Sequence, residues 1–334
     1  MSRSTLIVLL GNGNGTFSEP IIPSIGYFGV DTQIAVGDLN QDQLLDIALA
    51  DGYAGSVTVV FGNGDGTFRV GTILFPEDCP YLAGIALSHF NNDSYLDIAV
   101  ACDGYSNVSI YFGDANGSFL EKIILYTGEY SSSLSIAVTD FNGDSHSDIA
   151  VVDDDHRTVG VFLGHGNGSF DMQRRSLTGG GISPSYIAVG DFNEDIKQDI
   201  VLSYVYGRAN GVLFGYGNGT FGEKIRLVVQ SGYVYMSVVV RDFNRDGHLD
   251  IATVTMTPYG VDVFYGHVNG NFETCRIFST EFPGSFASIM AGDFNADGYP
   301  DLITTYKNPG GVFILLSRDQ YNISEVFKTS TSVY

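Results

Sequence analysis

The stretch VGDFNEDIKQDI, residues 189–200, sets three aspartates and an asparagine, Asp191, Asn193, Asp195 and Asp199, between two short apolar runs. The same pattern occurs six times: GDLNQDQLLDIALA from Gly37, SHFNNDSYLDIAVA from Ser88, TDFNGDSHSDIAVV from Thr139, GDFNEDIKQDIVLS from Gly190, RDFNRDGHLDIATV from Arg241 and GDFNADGYPDLITT from Gly292. The closing aspartates, Asp46, Asp97, Asp148, Asp199, Asp250 and Asp301, are 51 residues apart throughout. So are the phenylalanines that end turns of the GNGNGTF type: Phe17, Phe68, Phe119, Phe170, Phe221 and Phe272. Two markers in one phase make this an internal repeat.

Within residues 32–75 the apolar runs QIAVGDL, LDIALA, SVTVVFG and FRVGTILF alternate with turn-rich segments, which is four strands per repeat. No apolar period of 3.6 residues is long enough for a helix. The reading is all-β: a β-propeller of four-stranded blades over residues 32–75, 83–126, 134–177, 185–228, 236–279 and 287–328 of one domain, 1–334. TLIVLLGNGNGTF from Thr5 aligns with SVTVVFGNGDGTF from Ser56 at the same offset. Residues 1–24 therefore read as the third and fourth strands of a further blade, and not as a secretory signal. A continuation past Tyr334 would supply the missing inner pair of a seven-blade propeller; the alternative is a six-blade ring with an extra hairpin.

Composition agrees with many short strands and tight turns: 42 glycines, 43 Tyr plus Phe and no tryptophan in 334 residues. A formal charge of −22, from 38 acids against 16 Lys and Arg, argues against nucleic-acid or anionic-membrane partners and for a cationic one. No apolar run approaches the ~20 residues of a membrane span. Of three cysteines, Cys79 and Cys102 are either a disulfide or two thiols, and Cys275 reads as a small buried hydrophobe.

The repeated loop is D-x-N-x-D-x-x-x-D, with side-chain oxygens at positions 1, 3, 5 and 9 and a backbone carbonyl at position 7. Three carboxylates so close repel unless a cation sits among them, and an oxygen-only donor set suits calcium better than magnesium, which takes fewer protein ligands. Motif positions hold 17 of the 38 acids, and five calcium ions would bring −22 to −12. The alternative is that Asp and Asn only form Asx-turns.

In these loops, and in turns such as FGNGDGTF at residues 61–68, the chain resembles the FG-GAP/VCBS repeat family, the propellers of integrin α-chains and of some fungal lectins. The resemblance covers essentially the whole chain and implies about five structural calcium sites. The implied ligands are Asp38, Asn40, Asp42, the Leu44 carbonyl and Asp46; Asp140, Asn142, Asp144, His146 and Asp148; Asp191, Asn193, Asp195, Lys197 and Asp199; Asp242, Asn244, Asp246, His248 and Asp250; and Asp293, Asn295, Asp297, Tyr299 and Asp301. In the second repeat His89 replaces the first aspartate, leaving a degenerate set: Asn91, Asp93, Tyr95 and Asp97. The family often has glycine at position 6, here only Gly247 and Gly298; Ile196 would be strained if that position needs positive φ. The last two sites are expected to be tightest.

Function then falls to the loops at the other ends of the strands, which vary between repeats and carry Tyr53, Tyr81, Tyr105, Tyr130, Tyr186, Tyr206, Tyr233, Tyr259 and Phe282. Tyrosines there suit contact with protein or glycan, though many could simply cap strand ends. The expectation is a calcium-stabilised extracellular binding or adhesion module and not an enzyme. The rivals are a calcium-dependent polysaccharide lyase, which would need a basic or histidine cluster, and a repeat fragment of a larger surface protein.

Overall fold

The computed structural model describes residues 5–29, 32–179, 183–204, 209–228, 234–256, 259–273, 276–279, 285–307, 311–319 and 322–329. The architecture is six four-stranded antiparallel blades, each in sequential strand order, and it belongs to the β-propeller class. The first blade is Gln33–Gly37, Asp46–Asp51, Ser56–Gly62 and Phe68–Leu74; the second is Leu82–Ser88, Asp97–Cys102, Asn107–Phe112 and Glu121–Tyr126; the third is Ser133–Thr139, Asp148–Asp153, Thr158–Phe162 and Arg174–Leu177. The fourth is Pro184–Gly190, Asp199–Tyr204, Ala209–Gly215 and Phe221–Val228; the fifth is Val234–Arg241, Asp250–Met256, Tyr259–Phe264 and Arg276–Ser279; the sixth is Ser285–Gly292, Asp301–Lys307, Gly311–Asp319 and Asn322–Thr329.

Burial explains why the apolar runs read as continuous and not alternating. In the first blade the second and third strands, DIALAD and SVTVVFG, are buried at every residue, while the outer strand FRVGTIL is mostly open. The sheet is covered on both faces, so its middle strands need apolar side chains on both. Ala48, Ala50, Val57 and Val59 pack with Ile98 and Val100 of the second blade, whereas Ile47, Leu49 and Val60 pack with Ile25 and Phe28. Alternate residues thus serve opposite neighbours.

The chain packs as two compact units. One contains the first three blades within Pro20–Leu177, with Met1–Leu9 and Gly217–Thr220; the other contains the last three blades within Thr178–Tyr216 and Phe221–Tyr334, with Leu10–Glu19. In the first unit Val8 bridges Ile21, and Leu6, Ile25 and Phe28 lie against the first blade. In the second unit Gly11 bridges Phe17, Gly15 N–H donates to the Phe294 carbonyl at 2.9 Å, and Phe17 meets the Phe294 ring at 6.2 Å. The bridge from Gly11 to Phe17 repeats that from Gly164 to Phe170, so the N-terminal segment adopts the third-to-fourth-strand turn of a partial blade.

Cys79 and Cys102 form a disulfide, Cα to Cα 5.3 Å, that ties the segment entering the second blade to the end of its second strand. Cys275 lies outside the described residues.

Candidate functional site

The six acidic loops join the first and second strands of their blades, and each ends on an aspartate that opens the second strand. That ninth-position carboxylate is buried in every blade. Its Oδ2 accepts from the backbone N–H at position 2, that of Leu39, Phe90, Phe141, Phe192, Phe243 or Phe294, at 2.7–2.9 Å. Its Oδ1 accepts from an N–H within two residues of the end of the third strand, at Gly62, Gly113, Gly164, Gly215, Gly266 or Ser317, also at 2.7–2.9 Å. One carboxylate therefore clamps the loop to the strand beyond it, and burial explains why this position never varies among the repeats.

The other loop oxygens are arranged by the backbone. The first aspartate accepts from the amides of positions 5 and 6, at 3.1–3.2 Å and 2.7–2.9 Å, in the loops beginning at Asp38, Asp140, Asp191, Asp242 and Asp293. The asparagine Oδ1 accepts from position 5 at 2.9–3.1 Å, and the aspartate at position 5 accepts from position 7 at 2.8–3.0 Å. Winding the chain this tightly takes positive φ at position 6, at Gln43, Ser145, Ile196, Gly247 and Gly298, and again at position 4, at Gln41, Gly143, Glu194, Arg245 and Ala296. Ile196 has φ 69°, as feared from its β-branched side chain. The requirement at position 4 escaped the sequence reading, because the residues there share no type.

Position 4 also links loops. Gln41 Nε2 donates to the Ser94 carbonyl at 2.8 Å, Glu194 bonds His248, and the Arg245 guanidinium lies 4.7 Å from the Tyr299 ring centre. A side chain held by a left-handed residue thus reaches the next loop.

Electrostatically the loops are unbalanced. Burial pushes the ninth carboxyl up in all six loops, against two backbone amides that hold it down and with neighbouring loop aspartates adding repulsion. Asp148 and Asp199 reach about 6, and Asp250 about 7. The available donors at each regular loop are three carboxylates, one amide oxygen and one backbone carbonyl, a hard-oxygen set that fits a calcium-sized cation. Among the described residues no three acidic, histidine or cysteine side chains enclose such an ion by themselves, so the asparagine and the position-7 carbonyl would have to complete the cage. In the fourth loop Asp195 Oδ2 accepts from Lys197 Nζ at 3.0 Å, a cation added to the asparagine contact that this loop shares with the other regular ones.

The second loop is built differently. Neither Asn92 nor Ser94 takes positive φ, and the His89 imidazole Nδ1–H donates to the Tyr95 carbonyl at 2.7 Å. That is the position-7 carbonyl, so here a hydrogen-bond donor takes up the oxygen that a cation in this loop would need.

Of the aromatic positions, Tyr81 and Tyr105 come together, ring centres 6.2 Å apart and both exposed, beside the disulfide. Tyr53 and Tyr130 are exposed, and Tyr186 is half-buried in the first strand of the fourth blade. Tyr259 opens a third strand; Tyr206, Tyr233 and Phe282 lie outside the described residues.

A family model described as FG-GAP-like repeat matches four times, at residues 89–151, 140–202, 196–253 and 242–304. The chain belongs to the FG-GAP-like repeat family. No curated protein sequence matches it. Among solved structures, this FG-GAP protein is similar to an Agrocybe aegerita lectin whose structure concerns recognition of non-reducing terminal N-acetylglucosamine: TM-score 0.68, 17% identity, 96% of this chain and 86% of that one. It is similar to BBS1N in complex with ARL6DN, at TM-score 0.57 and 15% identity over 94% and 84%. A candidate 6-phosphogluconolactonase of Bacteroides uniformis gives TM-score 0.64 and 11% identity over 93% and 90%. At such identities the shared property is the fold, which hosts unrelated functions. Among the described residues no helix is long and apolar enough to cross a membrane.

Proposed function

We propose that this FG-GAP protein is a calcium-stabilised extracellular binding module that recognises a protein or glycan through the loops at the blade ends away from the acidic loops. The observation that carries the reading is the exposed Tyr81 and Tyr105 pair, at the opposite end of the second blade's middle strands from its acidic loop. Two rigid rings beside a disulfide offer an amphipathic platform at low entropic cost. Asp38, Asp140, Asp191, Asp242 and Asp293, with their loop partners, would hold the calcium ions, which would neutralise the loops and leave recognition to other surfaces. Extracellular placement is supported by the disulfide and by the millimolar calcium that sites of this kind usually need.

The lectin neighbour makes glycan the first ligand to test. Calcium-loaded protein on a glycan array should give a small set of related hits that Tyr81→Ala and Tyr105→Ala each weaken about tenfold or more, as loss of a stacking platform does. Hits that both variants retain would remove the tyrosine pair from the site; an empty array would favour the protein arm.

A further inference from the structure

A groove of about 400 Å³ runs along the outer rim where the second and third blades meet, wholly within the first compact unit. Its walls are mostly apolar: Ile124 and Tyr126 come from the outer strand of the second blade, and Phe162, Phe170 and Met172 from the third. Met172 is 91% exposed and Tyr126 60%, a large apolar outlay for a surface unless something covers it.

One cation stands in this apolar setting. Arg175 borders the groove, its Nε donating to Gln173 Oε1 at 2.8 Å, with its closest carboxylate, Asp153 Oδ2, at 3.8 Å. Its position depends on Gly128, which has φ +99° and on which a Cβ would fall 2.2 Å from an Arg175 Nη. The guanidinium thus occupies space that the missing Cβ leaves open, is held by a neighbouring amide, and pairs only loosely with Asp153. The one acid that lines the groove, Asp171, is already engaged by Arg174 at 3.2 Å and His165 at 3.1 Å. In a chain with 38 acids and 16 Lys and Arg, an arginine kept short of a close carboxylate is available for one from outside.

Both strands that flank the groove, Glu121–Tyr126 and Arg174–Leu177, are the last strands of their sheets. Each has one edge without a strand partner in its sheet, and such an edge can accept an extended peptide through backbone hydrogen bonds. Apolar walls, one loosely paired guanidinium and an unpaired strand edge call for a ligand with those three complements.

We propose that this groove binds the C-terminal end of a partner polypeptide, with the terminal carboxylate on Arg175 and an apolar last side chain against Phe170 and Met172. This site is separate from the tyrosine pair, and neither reading depends on the other.

The test is fluorescence polarisation of the calcium-loaded protein with a labelled Gly-Ser-Val-Leu peptide, as the free acid and as the C-terminal amide. The free acid should bind in the sub-millimolar range and the amide about tenfold more weakly, the loss expected for one charge-assisted contact. Arg175→Gln should abolish the difference between acid and amide, Gly128→Ala should weaken acid binding by displacing the guanidinium, and Arg226→Gln on an exposed outer strand should change nothing. Tyr81→Ala should leave the peptide unaffected while acting on the glycan array, which separates failure here from failure of the binding-module reading. No binding at millimolar peptide, equal binding of acid and amide, an unaltered Arg175→Gln variant that still melts normally, or hexanoate competing as well as the peptide would each overturn the proposal.

Discussion

The acidic loop of the second blade and the five regular loops have the same length and the same clamp at position 9, yet they balance their charges in opposite ways. In the regular loops an aspartate at position 1 gathers the amides of positions 5 and 6, which leaves carboxylates facing one another. In the second loop His89 cannot accept those amides, the left-handed residues disappear, and the imidazole N–H bonds the Tyr95 carbonyl instead. One arrangement keeps aspartates repelling one another across the loop; the other is closed internally. The same second blade carries the disulfide. The lesson is that loop and blade can be secured by a counter-ion or by covalent and hydrogen bonds, and that each blade can be tested for which it uses.

The largest expected effect is calcium itself. With affinities of ~10⁻⁴ M, ~1 mM calcium stabilises by about 1.4 kcal/mol per site, or ~7 kcal/mol for five sites. Calorimetric titration should count five ions, and chelator should lower Tm by roughly 10–20 °C. Six ions would erase the distinction drawn for the second loop; none would reduce all six to Asx-turns.

Proton linkage comes next, because the same crowding that invites calcium invites protons. In chelator the folded carboxyls of Asp148 and Asp199, at about 6, and Asp250, at about 7, keep protons that the unfolded chain, at about 4, has released. Between those values the native state holds more protons, so stability falls as pH rises from 5 to about 7. With calcium bound the order reverses, since protons compete with the ion. Thermal melts across this range should give two curves that converge toward pH 5; parallel curves would uncouple the buried aspartates from the ion.

The disulfide is the second blade's own reinforcement. Closing 23 residues is worth about 3 kcal/mol by chain entropy, so Cys102→Ser should cost about that much, and equally with and without calcium. A penalty that vanishes in saturating calcium would mean that the two devices secure the same element.

The repeat was legible because every blade solves the same packing problem: middle strands buried on both faces demand DIAVA-like runs at a constant interval, and the ninth aspartate clamps each loop by the same two amides. The strain at Ile196 was legible too, since a β-branched residue stands where two other repeats have glycine. What could not be read were features in which unlike residues do one job. Gln41, Gly143, Glu194, Arg245 and Ala296 all hold position 4 left-handed, with no common side chain to reveal it. The groove at Arg175 depends on Gly128, 47 residues away in the connection that leaves the second blade, where a missing Cβ leaves no signature in composition. Asp46 and its equivalents read as ligands from their acidity, while their double amide clamp arises only when the third strand folds back beside the loop.

A single substitution turns the comparison around. His89→Asp restores the regular pattern, and the amides of Asp93 and Ser94 can then wind onto it as they do at Asp38. Titration should gain one ion, and about 1.4 kcal/mol of calcium-dependent stability at ~1 mM should follow. In chelator the variant should be less stable than the parent, because a new carboxylate joins Asp93 and Asp97 without the ion and the imidazole bond is lost. Unchanged stoichiometry would mean that the second loop is excluded by more than its first residue.

Finally, position 6 separates the fourth loop from the fifth. Ile196 and Gly247 donate equally well to their first aspartates, at 2.8 and 2.9 Å, so Ile196 carries the same winding at the cost of a left-handed β-branched residue. That cost is about 1–2 kcal/mol, and glycine gives back part of it through a freer unfolded chain. Ile196→Gly should therefore raise stability by a net ~1 kcal/mol in chelator as well as in calcium, because the strain belongs to the backbone and not to the ion. The side chain is exposed, so no packing is lost. Ion affinity at this loop should rise less, since Lys197 still occupies Asp195, and only the double variant with Lys197→Ala should match the fifth loop. If Ile196→Gly alone equalised the affinities, backbone strain would be the whole difference between the two loops and the ammonium contact would count for nothing.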